Sequence, residues 1–121
     1  MSTEAIDKSV PLRDRLRTAL SAAMKTRDRS AIAGLRSALG AIDNAEAIDT
    51  VDIKAGAIET SAVGLGAAEA RRRHLTESDI EQIVRTEIAD RHKAADEYDT
   101  LARSDHSELL RAEAAALTAQ L

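Results

Sequence analysis

The sequence predicts an all-α protein: a four-helix up-down arrangement over about 10–26, 29–48, 77–102 and 105–121, with a long mobile loop at 49–75. Three observations predict it. Apolar residues recur every three or four positions in four separate stretches, which on a helix stacks them into one face. One proline and five glycines in 121 residues leave few helix breakers. No stretch sustains the apolar–polar alternation of a strand. The length fits one domain, 1–121. Alanine fills 25 positions while Phe and Trp are absent and Tyr occurs once. Such helices approach closely but bury little area each, a composition that invites oligomerisation.

Residues 1–9 read as a disordered lead. Pro11 suits a first helical turn, where its missing N–H is not needed, with Ser9 or Val10 as flanking cap. Leu12, Leu16, Ala19, Leu20, Ala23 and Met24 form the apolar face of the first helix. Arg13 and Arg17 lie opposite, and Lys25 and Arg27 follow toward the helix's negative C-terminal end. The tight connection Thr26–Asp28, with Asp28 or Ser30 as cap, makes the first two helices an antiparallel hairpin. Ile32, Leu35, Leu39 and Ile42 are the stripe of the second helix, around which the rest is organised.

From Asp49 the stripe dissolves, and Gly56, Gly64 and Gly66 fall in the next stretch. A connection longer than about 12–15 residues is uncommon in a compact domain and tends to be functional or mobile. Gly64-Leu65-Gly66 begins like a dinucleotide fingerprint, but Glu69 takes the third small position and no strand precedes it. Arg71, Arg72 and Arg73 are the densest positive run, either a solvated loop or a phosphate contact.

Thr76 opens the third helix, with Asp79 placed for a capping box. Ile80, Ile83, Val84, Ile88, Ala94, Ala95, Tyr98 and Leu101 share its apolar face. A short turn at Arg103–Asp105 leads into the last helix, which carries Leu109, Leu110, Ala114, Leu117 and Leu121.

Several polar residues fall on or beside these stripes: Glu46, with Arg36 on the shoulder of the same helix; Glu87, Arg91 and Tyr98; and Glu113. An unpaired buried ion costs several kcal/mol. The pattern therefore predicts one connected network, with Arg91 as hub and Arg36 as second cation. Carboxylates in a four-helix bundle raise a di-metal site, which needs Glu-x-x-His pairs. No glutamate has a histidine three residues on, so neither metal nor cofactor is expected. With no Gly-x-Ser-x-Gly elbow and with His74, His92 and His106 isolated, no catalytic residue is expected either.

Charge is uneven: +3 over residues 1–29, −4 over 30–70 and −3 over 71–121. A pI of about 5.4 excludes a strongly nonspecific nucleic-acid binder and leaves local patches, Arg13 with Arg17 and Arg71–Arg73, as candidate phosphate contacts. The absence of cysteine excludes disulfides and thiolate chemistry. With no N-terminal apolar run and no segment approaching about 18 apolar residues, a cytoplasmic protein without membrane contact is expected.

Four segments carry a resemblance: residues 12–28, L-R-D-R-L-R-T-A-L-S-A-A-M-K-T-R-D; residues 35–46, L-R-S-A-L-G-A-I-D-N-A-E; residues 75–91, L-T-E-S-D-I-E-Q-I-V-R-T-E-I-A-D-R; and E-Y-x-x-L-x-R-x-D with the downstream Glu113. Together they resemble the YqeY-like family (GatB/YqeY domain), which is similar to the tail region of one component of the glutamine-dependent aspartyl/glutamyl-tRNA amidotransferase. The most specific pieces are Met24 with Asp28, Leu35-Arg36, Ile42-x-Asn44-Ala45-Glu46 and Glu87-x-x-x-Arg91. Two departures stand out. The family's usual glycine before the arginine of the last turn is Ala102 here. Members also typically continue through an L-P step into a second small helical domain, so the resemblance covers the N-terminal domain only.

The resemblance implies a helical accessory module with a carbon–nitrogen ligase family label, glutamine being the amide donor. In the amidotransferase the tail region is implicated in engaging tRNA, while ATP use and amide transfer belong to other domains. Two readings follow: a non-catalytic, tRNA-associated accessory domain, or a protein-interaction or homo-oligomerisation module without RNA binding.

Overall fold

Thr76 and Asp79 show how locally this chain sets its helix starts. The Thr76 hydroxyl accepts the Asp79 N–H at 3.0 Å, and the Asp79 carboxylate accepts the Thr76 N–H at 3.0 Å, the reciprocal capping box that the sequence predicts. The computed structural model describes residues 6–57 and 74–121. Among them are four α-helices and no strand: α1 (Leu12–Thr26), α2 (Arg29–Ala57), α3 (Glu77–Thr100) and α4 (Ser104–Thr118). No helix is long and apolar enough to cross a membrane among the described residues.

The all-α fold and its helix order match the sequence reading; the ends differ in instructive ways. α2 runs on to Ala57, beyond the expected end at 48. Residues 49–57 hold no proline, and their one glycine, Gly56, is next to the end. Losing the apolar stripe removes packing, but extending a formed helix costs little. Leu75, read as the end of the connection, is buried in the core; residues 58–73, including Arg71, Arg72 and Arg73, lie outside the described residues. In the expected lead, residues 6–10 form a turn. Val10 N–H donates to the Asp7 carbonyl at 3.1 Å, and the Ser9 hydroxyl and N–H both donate to the Asp7 carboxylate, holding that carboxyl below its usual range. Ser9 is thereby spent and does not cap α1. Pro11 occupies the cap position, and the Leu12 N–H is met instead by the Glu77 carboxylate at 3.1 Å, from the first turn of α3.

α1 and α2 form one hairpin and α3 and α4 another; α4 packs against both α3 and α2, while α3 meets α2 and α1 only narrowly. Leu12, Leu16, Leu35, Ile42, Val84 and Leu117 are almost wholly buried at their centre. Ile32 and Leu39 of the expected α2 stripe pack at its margin, because Ala31 and Ala38 take the covered positions. Arg15 closes the bundle's end, donating to the Gln120 carbonyl at 3.1 Å and the Val10 carbonyl at 2.9 Å.

Both hairpin turns are closed by a left-handed residue that is not glycine. Arg27, at φ 57°, ends α1, and the Asp28 N–H reaches back to the Ala23 carbonyl at 2.9 Å. Ala102, at φ 56°, follows α3, with the Arg103 N–H on the Tyr98 carbonyl at 2.8 Å. A Cβ in this region costs about 1–2 kcal/mol, which glycine avoids. Ala102→Gly should therefore raise the melting temperature by about 3–5 °C, read by thermal circular dichroism. A decrease would contradict the left-handed geometry.

Candidate functional site

Gly34 creates the space in which the interior charges meet. It is buried on α2, and a Cβ there would lie 2.9 Å from the backbone oxygen of Glu113. Only a residue without a side chain lets α2 and α4 approach so closely. The approach sets the Glu113 carboxylate beside Arg91 of α3. Arg91 Nε donates to Glu113 Oε1 at 3.0 Å, and its Nη1 donates to Glu87 Oε1 and to the Glu87 carbonyl, both at 3.1 Å. The Ser37 hydroxyl of α2 donates to the same Glu87 Oε1 at 2.8 Å. The Arg91 side chain is 13% exposed, against 21% for Glu87 and 19% for Glu113. One planar fork thus joins α3 to α4, and the shared carboxylate joins them to α2.

The structure brings together Glu87, Arg91 and Glu113 from the predicted set and separates the other three. Glu46 pairs with Arg13 of α1, whose Nη2 lies 2.7 Å from Glu46 Oε1. Nine residues along α2 from Ser37, Glu46 is displaced by about 14 Å and cannot reach Arg91. The Arg13 contact is short but off the N–H axis: neither Nη2 nor Nε of Arg13 makes a hydrogen bond among the described residues, although both are buried. It is an ion pair, and Arg13 is not free to contact phosphate as the sequence suggested. Arg36 is exposed and directs its Nη2 to Met24 Sδ at 4.0 Å; its neighbour Ser37, a helical step of about 100° away, takes the place facing α3. Tyr98 lies two turns beyond Arg91 and packs edge-on against His106, with ring centroids 4.9 Å apart. Its hydroxyl makes no hydrogen bond among the described residues.

Sequence reasoning missed Ser37 and Gly34, although the spacing of Gly34, Ser37, Ala38, Ala41 and Ala45 marks a small-residue face of α2. It also missed Arg111, which bridges Asp96 at 2.9 Å and Asp99 at 2.7 Å across the α3–α4 hairpin. Arg111 holds the Asp99 carboxyl below its usual range.

Beside Glu87 a groove of about 380 Å³ opens between α2 and α3, floored by Ala41, Ala45 and Ile83 and edged by Gln82 and Thr86. No group of three His, Asp or Glu side chains is arranged to hold a metal ion among the described residues. Arg17 is 60% exposed and meets Asp14 at 3.7 Å. Comparison with protein-family models, with curated proteins and with solved structures gives no match to this chain.

Two separate ion clusters have a measurable consequence. Arg91→Ala should cost about 2–3 kcal/mol, since two largely covered carboxylates lose a charged partner, and Arg13→Ala should cost less. Because the sites share no partner, chemical denaturation of the double variant should give the sum of the single effects to within about 0.5 kcal/mol. A larger deviation would show that the clusters are coupled.

Proposed function

We propose that the chain is a cytoplasmic, non-catalytic helical accessory module of the YqeY-like kind, associated with tRNA. What supports the tRNA reading is how the cations of the first 29 residues are spent. Arg13 and Arg15 are committed to the fold through Glu46 and the carbonyls of Val10 and Gln120. Arg17 and Lys25 stand exposed on α1, Arg27 in its turn and Arg29 at the start of α2, in a chain whose net charge is −4. Exposed cations concentrated on one element attract phosphate even where the whole protein is acidic. The accessory reading is supported by Glu87, Arg91 and Glu113, which pair with one another across the bundle and so act as scaffold. Arg71, Arg72 and Arg73 belong to the proposal as a second basic run.

A second reading, docking of a protein partner or of another copy, is favoured by Leu101 and Leu109, which are 68% and 54% exposed near the α3–α4 turn.

Filter binding with tRNA across a salt series tests the first reading, beside sedimentation of the protein alone. The expected result is a linear log–log decline with a slope of roughly −0.9 or less per phosphate contacted, weakened by Arg71→Ala, Arg72→Ala and Arg73→Ala together. No binding at about 50 mM salt, with mass rising as concentration rises, would favour the second.

A further inference from the structure

The outer face of α1 carries a shallow open trough of about 500 Å³, lined by Arg17, Thr18, Ser21, Ala22 and Lys25. Thr18, Ser21 and Ala22 are exposed and small and form its floor. The two cations stand at its ends, eight residues or about 12 Å apart along the helix. The floor's hydroxyls are unspent. Elsewhere Thr26 and Thr118 bond the carbonyls of Ala22 and Ala114 one turn back, whereas Thr18 and Ser21 make no such bond among the described residues. Lys25 has no ion pair among the described residues, and Arg17 has only Asp14 at 3.7 Å, both side chains more than half exposed, a pairing worth little. Beyond Lys25, Arg27 in the turn and Arg29 at the start of α2 are also exposed. The intervening Asp28 is occupied as the cap of α2, accepting the Ala31 N–H at 3.2 Å.

We infer that this trough is the surface on which the module holds the phosphate backbone of tRNA. Arg17, Lys25, Arg27 and Arg29 each meet a phosphate, and the Thr18 and Ser21 hydroxyls donate to phosphate oxygens between the first two. The inference rests on the tRNA reading above and localises it. A single phosphate is held by donors converging on one point; here the cations are strung over more than two helical turns, which suits a polyanion. Insertion of a helix into a lipid surface calls for large apolar side chains beside the cations, and this floor is Thr, Ser and Ala.

The test is a titration of labelled tRNA with the full chain, wild type against Arg17→Ala/Lys25→Ala, Arg17→Lys and Ser21→Glu, at about 50 and 200 mM salt. Losing two contacts should make the log–log slope shallower by about 1.4–1.8, so the double variant's affinity loss between the two salts is about tenfold smaller than the wild type's. Arg17→Lys should keep the wild-type slope, and Ser21→Glu, which puts a negative charge into the floor, should weaken binding at both salts. All three variants change exposed residues and should retain the wild-type circular dichroism. A wild-type slope and affinity in the double variant would overturn the surface and leave the tRNA reading standing. Failure of the wild type to bind either tRNA or phosphatidylserine vesicles at the lower salt would overturn both. Wild-type binding to phosphatidylserine vesicles but not to tRNA would overturn the occupant.

Discussion

The bundle depends on placing one arginine fork between two carboxylates where two helices nearly touch. Arg91 reaches Glu113 on α4 and Glu87 on its own helix, and Ser37 of α2 completes the Glu87 oxygen. These bonds are available only because Gly34 lets the Glu113 backbone come so near α2. The ions alone bring modest net stability, since their desolvation offsets much of their attraction. What they contribute is register. Sliding α4 by one turn against α3 would leave Arg91 facing an apolar side chain, and the displaced carboxylate would lose its partner in a partly dry site. A core rich in alanine, with no Phe or Trp, offers few large knobs to fix helix phase by shape, so the polar contacts take over that task.

The same economy explains the surface. Charges that face inward are paired, Arg13 with Glu46 and Arg91 with two glutamates that share it, and Arg111 ties Asp96 and Asp99 across the second hairpin. Among the described residues, Arg17, Lys25 and Arg27 are cations outside these contacts that stand exposed on the outer side of α1 and at its turn. Part of the positive charge of the first 29 residues is thereby placed on the outer edge of α1.

Helix identity was legible in the sequence because it rests on local spacing: the Leu35/Ile42 stripe, the Thr76/Asp79 box and the Asp28 cap all appear where the pattern puts them. The polar network was legible as a need for partners but only partly as a partner list. A helical wheel gives the angle of Glu46 and Tyr98 and omits their height along the bundle. Glu46 therefore meets Arg13 on α1, and Tyr98 meets His106 at the other end. Ser37 escaped notice because a serine on an apolar face reads as neutral until a carboxylate is placed opposite. The end of α2 was misplaced for a different reason: amphipathic periodicity reports where a helix packs, which is less than where it continues.

The most direct measurement of the central contact is a double-mutant cycle on Arg91→Met and Glu113→Gln, followed by urea denaturation. A coupling energy of about 1–2 kcal/mol is expected, as for partly covered charge-assisted pairs. Coupling within about 0.3 kcal/mol of zero, at unchanged helical content, would contradict the register role of this pair by showing that the helices hold their phase without it.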